Sequence, residues 1–217
     1  LSSQHVPYVA FADTTNGNKA TVMKYTGNGA TGWEPVGSAF STASAEGFSL
    51  VLDRNDVPFV AYQEMDGAGL ASVMKFTGNG ATGWELVGSA GFTFLETRNL
   101  RLAFDSTNAP YVAYNVNIGG NQHGYVQKYT GNGPTQWEFP GNPTSFSAGA
   151  GFVGDLVIDS NDILYVAYLD IVNSWKITVM KLVGSTWQSV GTVGFANTVG
   201  VPAMALTSND IPYVAAS

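Results

Sequence analysis

The chain has 217 residues, of which 45% are hydrophobic and only 12% charged; 16 acidic against nine basic side chains leave a net charge of −7. That hydrophobic share supplies a core and excludes compositional disorder, while the acidic balance and scattered Lys and Arg argue against nucleic acid as a partner. With no cysteine there is neither a disulfide nor a thiolate metal site, and no apolar run reaches the roughly 18 to 20 residues of a membrane span.

Taken in chain order, the segment opens at Leu1 with neither Met nor a signal-like stretch, which reads as a mature product or an excised piece. Leu1-Ser2 stand where Leu52-Asp53 stand one unit later, so the opening residues end a strand A. Tyr8 to Ala12 then reads as strand B, with Tyr8, Ala10 and Ala12 on one side and Val9 and Phe11 on the other. Both faces are apolar, as expected of a sheet covered on both sides. Lys24-Tyr25-Thr26-Gly27-Asn28-Gly29-Ala30-Thr31-Gly32-Trp33-Glu34 follows and returns almost unchanged at 75–85.

The second unit has the clearest grammar. Phe48 to Asp53 is strand A, closed by the turn Arg54-Asn55-Asp56-Val57. Pro58 to Gln63 is strand B, its leading proline tolerated because a first strand position need not donate to the ladder. Ala71 to Phe76 is strand C, and the turn 78–83, carrying Asn79-Gly80, leads into strand D at Trp84 to Gly88. Further along, Trp137 and Trp187 continue the series begun by Trp33 and Trp84, at spacings of 51, 53 and 50 residues. The Val-Ala pairs at 9, 60, 112, 166 and 214 keep the same period, so the unit is about 52 residues.

Four short antiparallel strands in such a unit, with no helical period, describe a β-propeller blade: the fold class is all-β, in about four blade equivalents across one array, 1–217. Strands of a partial blade fall at 1–37, those of full blades at 48–88, 100–139 and 154–191, and a partial blade at 201–217. This tally leaves the last strand B, Pro212 to Ser217, redundant with Tyr8 to Ala12. The expectation is therefore a section of a longer propeller, or a final strand B that is displaced or pairs with another chain, as in a homo-oligomer.

On these residues the chain resembles β-propellers built of nearly identical tandem repeats, familiar from bacterial secreted and surface proteins; the resemblance implies an extracellular or cell-surface location. The C-to-D turn 26–33 is similar to the Asp-box of sialidase-type propellers, matching it at Thr26, Asn28 and Trp33 and departing at Ala30 and Gly32. In that family the box is structural. Sialidase activity would further require three converging arginines and a tyrosine nucleophile backed by a glutamate, yet Arg54 sits in a turn while Arg98 and Arg101 share one segment.

The A-to-B turns at 53–56, 105–108, 159–162 and 207–210 are rich in Asp and Asn and invite a calcium reading. Thr207 in the first position favours a turn held by side-chain hydrogen bonds instead. Lys24, Lys75, Lys128 and Lys181 recur on strand C and are expected to pair with acidic groups. His5 and His123 have no partner at ligand spacing, so neither a metal nor a cofactor is expected.

Divergence concentrates in the B-to-C loops (Asp13 to Lys19, Glu64 to Gly69, Asn115 to Gly124, Asp170 to Trp175) and the D-to-A links (Ser38 to Gly47, Ser89 to Asn99, Gly141 to Gly154, Thr192 to Gly200), which a blade places on one face. Loops on a rigid scaffold carry recognition. The expected ligand contacts are Asp13, Lys19, Glu64, Asp66, Asn117, His123, Asp170 and Trp175. The functional expectation is a non-catalytic binding or adhesion propeller for a glycan or protein ligand, with a structural array second and a glycoside hydrolase last, because no nucleophile, base and orienting partner group together.

Overall fold

A computed structural model describes residues 1–140, 145–147, 149, 151–198 and 200–216. Part of the link Gly141 to Gly154, Val199 in the link Thr192 to Gly200 and the terminal Ser217 therefore lie outside the described residues.

The described chain is all-β, its one helical element being the three-residue 3-10 turn Thr14–Asn16. Every strand pairing is antiparallel. Contacts divide the chain into two units, 1–96 with 134–136, and 97–133 with 137–217.

The first unit holds β1 (Tyr8–Asp13), β2 (Lys19–Tyr25) and β3 (Trp33–Pro35) as one sheet, and β4 (Ala45–Leu52), β5 (Pro58–Glu64), β6 (Ala71–Phe76) and β7 (Trp84–Leu86) as another, each in sequence order. Its core joins Val22, Val36 and Phe40 to Val60, Tyr62, Met74 and Trp84. Trp84 is buried and donates its indole N–H to the Val36 carbonyl at 2.8 Å, while its ring lies 4.4 Å from Phe40.

The second unit holds β8 (Thr97–Phe104), β9 (Pro110–Ile118), β10 (Asn121–Tyr129) and β11 (Trp137–Glu138) in one sheet. A second sheet contains β12 (Gly151–Ile158), β13 (Leu164–Asp170), β14 (Lys176–Val183) and β15 (Thr186–Ser189), with β16 (Ala196–Asn197) added on β14. β17 (Ala203–Leu206) and β18 (Pro212–Ala215) pair with each other.

Strands B behave as expected where sheets face each other: β5 and β13 are buried at every residue. β1 differs, for Val9 is 39% exposed. Three strands A, β4, β8 and β12, begin three residues earlier than the sequence pattern suggests, whereas β17 begins two residues later. β4 carries a register shift between Glu46 and Ser49 around Gly47 (φ 66°), β8 one between Arg98 and Arg101, and β12 one between Val153 and Asp155. Each bulge breaks the alternation, so the residues before it read as loop.

The A-to-B turns repeat one hydrogen-bond pattern. Asp53, Asp105 and Asp159 each accept the backbone N–H groups two and four residues on through Oδ1, and Ser2 and Thr207 do the same through their hydroxyls. The fourth turn residue is left-handed in every case: His5, Asp56, Asn108, Asp162 and Asp210. Three of these aspartates also clasp the serine of another turn: Asp56 accepts the N–H and hydroxyl of Ser3, Asp162 those of Ser106, and Asp210 those of Ser160. Hydrogen bonding within and between the turns thus gives these recurring carboxylates a structural role.

Lys128 meets the expectation of an acidic partner. Its ammonium lies 2.9 Å from Asp105 and 5.0 Å from the centre of the Tyr111 ring. Burial of Asp105 raises its pKa, but hydrogen bonds from Thr107, Lys128 and the Ala109 N–H outweigh it and bring the carboxyl to about 2, below the usual 3.8. A depressed folded-state pKa stabilises the fold above the unfolded value and loses that stabilisation as protons bind. The melting temperature is therefore expected to fall as pH drops from about 4 to about 2, and Asp105→Asn should flatten that part of the profile. Thermal unfolding monitored across this range checks it.

A buried amide makes a second cross-link. Asn115, wholly inaccessible on β9, donates to Gly151 O at 2.5 Å and accepts from Val153 N at 2.7 Å on β12, and from Asn99 Nδ2 at 3.2 Å. Asn115→Ala would strand two buried backbone groups, so a loss of about 3 kcal/mol in urea unfolding is expected.

Candidate functional site

The strongest local chemistry lies in the first unit, where β5 ends. Strand alternation turns Tyr62 and Glu64 to the same side, and the following loop carries Asp66. The three residues, with Phe40, Thr42, Leu70 and Ser72 among their neighbours, line a cleft of about 340 Å³. Glu64 is buried and its Oε1 accepts from Thr42 Oγ1 at 2.5 Å and from Ala43 N at 2.7 Å. The Tyr62 hydroxyl bonds to the same carboxylate and to Ser72; burial first, then the Glu64 charge, pushes its pKa well above 10, so the phenol stays a protonated donor. Asp66 is exposed at the mouth and accepts from Ala68 N. One wall is aromatic, with Phe40 and Tyr62 edge to face at 5.7 Å. An aromatic wall, hydroxyl donors and two carboxylates are suited to holding a sugar and moving protons at its ring.

The other expected residues are placed differently. Asp13 ends β1 and folds its own loop: it accepts from Thr15 N, Thr15 Oγ1 and Asn16 Nδ2, and these bonds lower its pKa. Lys19 pairs with it across the strands. Asn117 and His123 lie on β9 and β10 and not in a loop, since pairing runs out to Ile118↔Asn121 and leaves a two-glycine turn; Asn117 accepts from Gly120 N. Asp170 ends β13, buried, with Tyr168, Asn173 and Thr178 all donating to it. Trp175 follows in the same loop. The structure thus brings Glu64 and Asp66 to one cleft in the first unit and Asp170 and Trp175 to one loop in the second.

A larger hollow of about 540 Å³ lies at the first A-to-B turn. It is lined by one carboxylate, Asp56, which accepts from Ser3 with both oxygens, so it lacks the two carboxyl groups that line the Glu64 cleft. Among the described residues no group of three or more His, Cys, Asp or Glu is placed to hold a metal ion, and no helix is long and apolar enough to cross a membrane.

The sequence reading missed a recurring pair in the D-to-A links. Phe40-Ser41, Phe92-Thr93 and Phe146-Ser147 each send the Phe N–H to a strand C carbonyl, that of Ala20 on β2, Ala71 on β6 or Gly124 on β10, while the hydroxyl accepts the N–H of that same residue. The ring of Phe40 then meets Tyr62 and Trp84, and that of Phe146 meets Tyr168 and Trp187. The links are accordingly not free to vary throughout. The signal was present as Phe followed by Ser or Thr at spacings of 52 and 54 residues.

The antiparallel sheets define a propeller-type all-β fold, and solved structures share it. A thermostable family-43 glycoside hydrolase is 12% identical over 99% of this chain and 80% of its own, with a TM-score of 0.55. An endo-1,4-beta-xylanase from Bacteroides thetaiotaomicron is 10% identical over 100% of this chain and 92% of its own, also at 0.55. An ulvan lyase of a new polysaccharide lyase family is 11% identical over 94% of this chain and 59% of its own, at 0.60. At such identities the likeness is one of fold. No family model matches the chain, and no curated protein matches it.

These likenesses correct the expectation of a non-catalytic binding or adhesion protein and of a structural array, which had placed a hydrolase last. These three proteins are named as glycoside hydrolases and a polysaccharide lyase. No nucleophile, base and orienting partner stand together along the sequence; the cleft draws Thr42, Glu64 and Ser72 from separate strands and links.

Proposed function

We propose that this chain processes carbohydrate, cleaving the glycosidic bond of a neutral glycan in the cleft built around Glu64. The observation that carries the reading is the lining of that cleft: an aromatic wall with the carboxylates of Glu64 and Asp66, and no Lys, Arg or His among its lining residues. Glycoside hydrolysis needs two carboxyl groups. One protonates the departing glycosidic oxygen; the other, as carboxylate, activates water or attacks the anomeric carbon. Thr42, Ala43 and Tyr62 hold Glu64 in one orientation, while Asp66 stands exposed at the mouth. A lyase acting on an acidic polysaccharide would need a cation to meet the substrate carboxylate, so the acidic cleft favours hydrolysis over elimination.

The tandem units, counted as about four blade equivalents, serve as the rigid frame, and a polymeric glycan too large to enter a cell places the work outside it. The test is a panel of neutral polysaccharides (xylan, arabinan) beside an anionic one (ulvan), followed by reducing ends and by ultraviolet absorbance. New reducing ends from a neutral polymer, without an absorbing unsaturated product, are expected. Turnover confined to the anionic polymer, with that absorbance, would overturn the reading.

A further inference from the structure

In the second unit the loop after β13 holds a large aromatic ring in water. Trp175 is 50% exposed, and the neighbouring Val172 is 62% exposed. Ser174 and Trp175 are consecutive non-glycine residues with φ of 62° and 61°, a backbone conformation unfavourable to both. Such strain persists only where the surroundings enforce it, and it concentrates at functional positions. Here Asp170 enforces it: Asn173 N at 3.2 Å and Asn173 Nδ2 at 2.8 Å tie the loop to a carboxylate itself fixed by Thr178 Oγ1 at 2.9 Å and Tyr168 OH at 3.2 Å. Behind the ring lies Phe152 of β12, stacked at 6.1 Å and 21°. One side of the indole is therefore backed by a second ring while half of the residue stays open.

We propose that Trp175, backed by Phe152, is a stacking platform for a neutral sugar ring. This rests on the carbohydrate reading above and adds to it a subsite outside the Glu64 cleft. The π face of an indole carries negative charge and attracts the weakly positive C–H groups on the flat side of a pyranose or furanose, whose hydroxyls remain in water. A protein partner needs roughly 800 Å² from each side, far more than one ring with Val172 offers. An anionic membrane is opposed by the net charge of −7. A rigid, pre-paid loop geometry suits the weak binding of a single ring, because little ordering remains for the ligand to impose.

The test uses Glu64→Gln protein, so that binding is read without turnover, titrated with xylohexaose and arabinohexaose by calorimetry and indole fluorescence. Trp175→Ala is expected to weaken binding roughly tenfold and to remove the sugar-induced fluorescence change, whereas Trp175→Tyr stays within about threefold. Thermal unfolding of Trp175→Ala should match the parent, since its side chain is half in water. Equal affinity in parent and Trp175→Ala, or no binding of either sugar up to about 10 mM, would overturn the platform. Trp175-dependent binding without hydrolysis of any glycan by the unmutated chain would instead sustain the platform and remove the catalytic reading.

Discussion

Glu64→Gln is expected to lower turnover of a neutral oligosaccharide by roughly 10²- to 10⁴-fold while leaving the melting temperature almost unchanged. The two halves of this expectation have separate origins. Gln keeps an acceptor oxygen for Thr42 Oγ1 and Ala43 N, so the link between the D-to-A segment and β5 survives. It cannot donate or accept the proton that hydrolysis moves. Asp66→Asn should also impair turnover, with a smaller effect on substrate affinity because Asp66 is exposed at the mouth. Initial rates on the neutral substrate, with thermal unfolding on the same samples, check both variants. If Glu64→Gln turned over as fast as its parent, the acid–base work would have to lie elsewhere.

The second large effect concerns stability. Trp84→Ala should destabilise the first unit by about 3–5 kcal/mol, the range for removing a fully packed aromatic ring. Trp84 is 5% exposed, touches Phe40 and Phe76, and satisfies the Val36 carbonyl through its indole N–H. Truncation leaves both a cavity and an unpaired acceptor, two terms that add. Trp33 is only half-buried, so Trp33→Ala should cost clearly less. Urea unfolding of the two variants makes the comparison, and equal losses would contradict the packing described for Trp84.

How far each of these features could be read from the chain alone differs case by case. Strand C of the second unit, 71–76, coincides with β6, because a short run with apolar Ala71, Val73, Met74 and Phe76, followed by the turn residues Asn79-Gly80, carries its own local signal. The turn chemistry at 53–56 and its relatives was equally legible, since an Asx or hydroxyl side chain bonds to backbone only two and four residues away. Local sequence therefore determined the all-β class, the hairpin turns and the period of the tryptophans.

Tertiary structure alone decided the rest. Asp13, Glu64 and Asp170 occupy the same position at the end of a strand B, yet Asp13 folds its own loop, Asp170 is held by three surrounding side chains, and Glu64 opens onto a cleft. The difference lies in groups distant in sequence: Thr42, 22 residues away, meets Glu64 and makes it part of a walled site. The bulges on β4, β8 and β12 likewise became visible only through the partner strand, since a register shift is a property of two strands and not of one. Periodicity reports what each residue could do with its near neighbours; which carboxylate is left beside a cavity depends on the side chains that packing brings from elsewhere.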